Sequence, residues 1–171
     1  MDEKKQQGNY DKYGEMASAG KTNELTLNQA LEDFENIIGK NINSFDVNDF
    51  EINFLRGLNL EDGASTITDF TAYIIASKLL DEIIKSNQKI SKIILCGGGR
   101  KNLTLIKRIE NYSGNKIKFE DIENYGVDGD FVESQAFAFL AIRSFLKLPI
   151  SFPNTTGCKL PSTGGILVKN F

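Results

Sequence analysis

The 171-residue sequence contains no histidine. Acid–base work therefore falls to carboxylates, lysine, tyrosine or cysteine, and a metal site built on imidazole is excluded. Cysteine is scarce as well: Cys96 and Cys158 are too few for a disulfide framework or a zinc knuckle. Cys96 lies in an apolar run and reads as a small core residue. Positive charge is not in surplus, since 20 basic and 23 acidic residues leave a net charge of −3. That balance argues against nucleic acid as a partner. No apolar run reaches the length of a membrane-spanning helix. The segment "MDEKKQQGNYDKYGE" carries no hydrophobic stretch behind its lysines, so no secretory signal is expected and the cytoplasm is the expected compartment. What remains is ordinary globular composition at a length that suits one domain, 1–171.

The first 24 residues are polar and punctuated by glycine. In "LTLNQALEDFENIIGK" (25–40), Leu27, Ala30, Leu31, Phe34, Ile37 and Ile38 fall on one helical stripe, closed by Gly39. Residues 41–63, "NINSFDVNDFEINFLRGLNLEDG", show no sustained period and read as loop, with room for a short strand or a turn of helix. A long helix is expected from Asp62, with Ile67, Phe70, Thr71, Ile74, Ile75, Leu79 and Ile83 on its apolar face. Asp62 or Ser65 is available to cap it, and Lys85-Ser86-Asn87 ends it. "KIILC" (92–96) is a short continuous apolar run, as in a parallel strand covered on both faces. A helix capped by Asn102 and stopped near Gly114 follows, then an alternating strand, "KIKFEDI" (116–122). A last helix runs from Asp130 to Pro149, its phenylalanines reading as core. The remainder reads as an ordered tail or hairpin. The order of elements means α/β, but two strands are too few to cover helices this apolar.

Between the first strand and its helix stand three consecutive glycines, Gly97, Gly98 and Gly99. A strand running through glycines into a helix presents backbone N–H groups at the carboxyl end of a sheet, where α/β folds bind nucleotides. Without β-carbons, a base or a phosphate can lie against the main chain. The same glycines also suit a plain strand-to-helix turn, and neither G-x-G-x-x-G nor G-x-x-x-x-G-K-[ST] is present. Asn102 can cap the following helix or reach a ribose or base with its amide. Glu133 can accept a sugar hydroxyl beside "AFAFLAI", or close a capping box with Asp130. "FPNTTGC" (152–158) can line a pocket or form a turn, and Asp11 and Gly14 read as a turn into a small helical segment. The residues by themselves assign no catalytic group and no metal ligand.

Four stretches in order, "YDKYGEMASAG" (10–20), "DGASTITDFTA" (62–72), "ILCGGGRKN" (94–102) and "DFVESQAFAFLA" (130–141), are followed by "LPISFPNTTG" (148–157). Together they resemble the anhydro-N-acetylmuramic acid kinases of bacterial cell-wall recycling. The resemblance implies an actin/hexokinase-like (RNase H-like) ATPase fold with two lobes around a cleft. It implies ATP and Mg²⁺ as cofactors and an amino sugar as substrate. The 1,6-anhydro ring is opened by water and the 6-oxygen phosphorylated, a reaction of peptidoglycan recycling and amino sugar metabolism. Such transfer depends on positioning and charge neutralisation, and the water needs a general base. By this resemblance Gly97, Gly98 and Gly99, with Asn102, serve the adenosine side of the nucleotide, and Glu133 serves the sugar side.

The departures from the family bear on function. Members are considerably longer, and their N-terminal lobe carries a glycine-rich phosphate loop and a "GPGN" region with the aspartate that acts as base. Neither "GPGN" nor an early "GTSxDG" occurs here. The resemblance therefore implies a helix-rich C-terminal lobe with an incomplete sheet, lacking the N-terminal lobe and expected to be inactive alone. Its partner would be a separately encoded N-terminal lobe or a second copy in a homodimer. The alternative is a non-catalytic module that binds a nucleotide, or a partner through its open sheet edges.

Overall fold

The computed structural model describes residues 10–38, 51–87, 89–90, 92–114 and 117–168. Contacts divide the chain into two compact units, Met1–Asp121 and Ile122–Phe171. In the first unit a 3-10 turn, Lys12–Gly14, leads into helix α1 (Glu15–Ala19), followed by α2 (Glu24–Ile38) and a 3-10 turn at Asn53–Leu55. The long helix α3 (Leu60–Ser86), strand β1 (Lys92–Leu95), a 3-10 turn at Gly98–Lys101, α4 (Leu103–Tyr112) and strand β2 (Lys118–Asp121) complete it. The second unit holds a 3-10 turn at Ile122–Tyr125, α5 (Val132–Phe145) and the one-turn helix α6 (Pro153–Thr156). The described chain is helix-rich α/β with one two-stranded parallel sheet. Among the described residues no helix is long and apolar enough to cross a membrane.

The core of the first unit has two halves, on either side of α3. Leu27, Ala30 and Phe34, the stripe expected of α2, are buried against Phe70, with Leu31, Phe54 and Ile74 packed around them. Gly39 and the side chains of Ile37 and Ile38 lie outside the described residues. Phe70 meets Phe34 edge-on at 5.9 Å between centroids and Phe54 at 5.4 Å, geometries that aromatic rings favour. On the opposite side Ala72 and Ala76 are buried with Ile109 of α4, and Phe119 of β2 packs on that cluster. The expected single apolar face of α3 is thus a correction. Ile75 is 41% exposed, while the small residues Ala72 and Ala76, one turn apart, let α4 approach closely. The helix also starts earlier than expected, because Asn59 caps it by accepting from Asp62 N at 2.8 Å. Asp62 and Ser65, the caps read from the pattern, hold other segments instead.

Three further expectations are corrected. Strand β1 is not covered on both faces: Ile94 is 47% exposed and Cys96 is exposed. Phe119, beside Ile93 in the parallel register, joins the α3–α4 core, but nothing described seals the other face of the pair. The Phe-rich α5 is not core, since Phe137, Phe139, Ile142 and Phe145 are each more than half exposed. It begins at Val132 rather than Asp130, with Phe131 at the N-cap and no side-chain cap bond, so the Asp130–Glu133 capping box does not form. Its end comes before Pro149, where Lys147 turns left-handed at φ 57° and Leu148 N reaches back to the Arg143 carbonyl at 2.8 Å. The tail closes through one antiparallel bridge, Ser151 to Ser162, around α6, so "FPNTTGC" is a turn with Pro153 opening it.

Candidate functional site

Strands β1 and β2 run parallel with Leu95 opposite Asp121 as their last rung. The glycine turn leaves the sheet at that carboxyl edge. Gly97 sits at φ 76°, left-handed backbone that glycine adopts without penalty. Gly98 and Gly99 are different: neither has a left-handed φ, and a β-carbon on either would meet nothing within 4 Å. The protein's own conformation and packing thus account for Gly97 and leave Gly98 and Gly99 unexplained. Asn102 Oδ1 accepts from Leu105 N at 2.9 Å, so it caps α4 as expected.

The turn is held from three directions. Arg100, 8% exposed, folds its guanidinium back so that Nη1 donates to the Gly97 carbonyl at 2.9 Å. Its Nε lies 3.3 Å from Asp121 Oδ1, tying the turn to the end of β2. Beneath the start of α4, Thr104 Oγ1 donates to the Gly14 carbonyl at 2.8 Å. Gly14 packs so tightly there that a β-carbon would overlap Asn102 Oδ1 and the Thr104 side chain. Asp11 fixes this N-terminal segment by accepting from Met16 N at 2.9 Å and Ala17 N at 3.0 Å. Glycine and aspartate in "YDKYGEMASAG" are therefore a turn into a short helix, as the sequence indicates, and the floor under α4.

Behind the site a polar knot fastens α4 to α3. Arg108 Nη1 lies 3.0 Å from Asp69 Oδ2, and Nη2 donates to Ser65 Oγ at 2.8 Å. Thr22 Oγ1 donates to Asp69 Oδ2, Asn23 N donates to Thr66 Oγ1 at 3.0 Å and Lys21 N donates to Asp62 Oδ1 at 2.7 Å. Ser65 and Thr66 are fully buried, and each finds a partner, as buried hydroxyls must. Tyr112 OH donates to Asp69 Oδ1 at 3.4 Å. Burial first, and then the Asp69 carboxylate, push its phenol up to about 12.

Gly97, Gly98, Gly99 and Asn102 thus stand together at one edge. Glu133 belongs to the second unit, exposed in the first turn of α5. Sequence reasoning passed over Arg100 and Asp121. The available signal was a basic residue directly after the glycines and an acidic one ending an alternating strand. Among the described residues no group of three or more Cys, Asp or Glu side chains could hold a metal ion.

A parallel strand pair joined through a glycine-rich turn and a helix defines the class: a helix-rich α/β protein. The model of the anhydro-N-acetylmuramic acid kinase family matches residues 1–170, and the chain belongs to that family. An anhydro-N-acetylmuramic acid kinase of Pelagibacter ubique is 52% identical over 162 residues, covering 95% of this chain and 43% of the relative. Kinases of the same name from Zymomonas mobilis and Rhizobium rhizogenes are each 37% identical, over 91% and 95% of this chain and 41% and 42% of their own lengths. The chain therefore spans less than half the length of these relatives.

Proposed function

We propose that this chain is the C-terminal, nucleotide-holding lobe of a cytoplasmic anhydro-N-acetylmuramic acid kinase with the actin/hexokinase-like ATPase fold. It holds the adenosine half of ATP on Gly97, Gly98 and Gly99 and carries Glu133 as a sugar-side acceptor. The observation that carries the reading is the pair Gly98–Gly99, bare where neither backbone nor packing requires glycine, at the edge where α/β sheets seat ligands. The residues present fit the nucleotide in that respect: the space a β-carbon would fill is open. Arg100 engages the Gly97 carbonyl, and Asn102, its oxygen engaged with Leu105 N, has its amide nitrogen for the ligand.

ATP, with Mg²⁺ on its phosphates, supplies the phosphoryl group for the 6-oxygen of the sugar as water opens the anhydro ring. This chain's own work is to hold and orient the adenosine and to accept a sugar hydroxyl at Glu133. The phosphate loop and the base that activates water belong to the part of the longer kinases that this chain does not match. The isolated chain binds nucleotide without turning over the amino sugar.

Cys96 supplies the test, because it is exposed beside the glycines. In a Cys158→Ser background, ATP should slow alkylation of Cys96. Gly98→Val should fold normally, its side chain entering open space, yet weaken that protection at least tenfold, about 1.4 kcal/mol. Equal alkylation rates with and without saturating ATP would overturn the nucleotide site.

A further inference from the structure

Two side chains of α4 grip the N-terminal segment of the first unit. Thr104 and Arg108 stand four positions apart and so share one face of the helix. Thr104 Oγ1 donates to the Gly14 carbonyl at 2.8 Å. Arg108 Nη2 donates to the Ala17 carbonyl at 3.3 Å and to Ser65 Oγ at 2.8 Å, while Nη1 donates to the Ser65 carbonyl. Nη1 also lies 3.0 Å from Asp69 Oδ2, in an ion pair whose side chains are 17% and 14% exposed. The gripped segment is tied within itself, because Asp11 accepts from Met16 N and Ala17 N. Gly14 then abuts the first turn of α4, where a β-carbon would stand 2.1 Å from Asn102 Oδ1. The main chain there backs the Asn102 amide, which caps α4 through Leu105 N. Asn102 N in turn closes the glycine turn by donating to the Gly99 carbonyl at 3.1 Å. Fastening α4 to α3 needs only Ser65 and Asp69; the bonds to Gly14 and Ala17 bring in a third segment, and that segment touches the residue leading out of the glycines.

We infer that Thr104 and Arg108 are positioning residues of the nucleotide site: they clamp Asp11–Ala17 beneath α4, and the clamped segment holds Asn102 and the glycine turn where an adenosine meets them. The inference rests on the nucleotide reading given above and adds to it two residues that act through Asn102. With the clamp released, Asn102 and the turn sample other arrangements. A nucleotide then binds only the fraction of molecules in which the turn stands ready, and its apparent affinity falls by that fraction.

The experiment measures the ATP concentration that half-protects Cys96 from alkylation, using the full chain in the Cys158→Ser background. Thr104→Val keeps the shape of the side chain and removes its donor. It should raise the half-protecting concentration about fivefold, the worth of one neutral hydrogen bond. Thr104→Ser restores the hydroxyl and should return the value to within about twofold of wild type. Ala30→Gly is the control for stability alone: it weakens α2, in the half of the core away from α4. It should lower the urea midpoint and leave the half-protecting concentration unchanged. Arg108→Lys keeps a charge for Asp69 without the planar fork and should also raise the half-protecting concentration, so it decides the matter if Thr104→Val fails to fold. An unchanged value in Thr104→Val, or in Arg108→Lys where that variant decides, overturns the inference while the nucleotide site stands. So does a loss that Thr104→Ser does not recover, or an equal loss in Ala30→Gly. Failure of ATP to protect the wild-type chain overturns both.

Discussion

At Tyr112, the phenol is held protonated by burial and by the neighbouring Asp69 carboxylate, up to about 12 against an ordinary 10.0. The folded state therefore keeps a proton that the unfolded chain gives up first. Between pH 10 and pH 12 the unfolded form binds fewer protons, so stability falls as pH rises through that window. Tyr112→Phe should remove this component: urea unfolding of wild type and variant at pH 8 and at pH 11 should show a smaller loss for the variant. Tyr112 is partly exposed, and its contribution is correspondingly screened. At the same scale the capping role of Asn102 was legible, since an N-cap asparagine after glycines needs only local geometry. Cys96 was not, because whether a strand residue is covered depends on what packs above it, which no local pattern encodes.

Among the elements, α2 and α4 follow their sequence closely: Leu27, Ala30 and Phe34 of the α2 stripe are the residues buried against Phe70, and Asn102 caps α4. Helix α3 is legible in existence but not in orientation. Two neighbours divide its surface, and the decisive contacts come from Ala72 and Ala76, residues too small to stand out in an apolar pattern. Helix α5 carries the opposite lesson, since an apolar sequence forms the helix without supplying a cover for it. Its C-terminus also stores strain. Lys147 occupies left-handed backbone at φ 57°, which costs a residue with a β-carbon roughly 1–2 kcal/mol. Lys147→Gly should relieve it, less the entropy glycine adds to the unfolded chain, for a net gain of about 0.5–1 kcal/mol. A higher urea midpoint at unchanged slope would register this gain.

For the whole molecule, the two-stranded sheet and the exposed α5 aromatics go with a chain that spans 43% of its Pelagibacter relative. Apolar surface of that kind marks an interaction site or an aggregation liability. The part of the Pelagibacter kinase that this chain does not match, produced separately and mixed with it, is expected to form a complex by size-exclusion chromatography and to restore ATP-dependent phosphorylation of the anhydro sugar. Neither piece alone should show turnover. Co-elution without activity would leave the chain a binding module, whereas turnover by this chain alone would remove the need for a partner. The α/β class and the glycine turn were readable because both are local; the Arg100–Asp121 brace was not, because it joins residues that only the parallel register makes neighbours.

The hydrogen bond from Thr104 to Gly14 links positions 90 apart in sequence. Bringing such distant ends together has an entropic cost that precedes any gain from the contact, and contacts of that span slow folding. The ground under the glycine turn is thus finished only when the far ends of the first unit have met. A chain caught before that closure can already possess its helices and still have no place to rest a ligand.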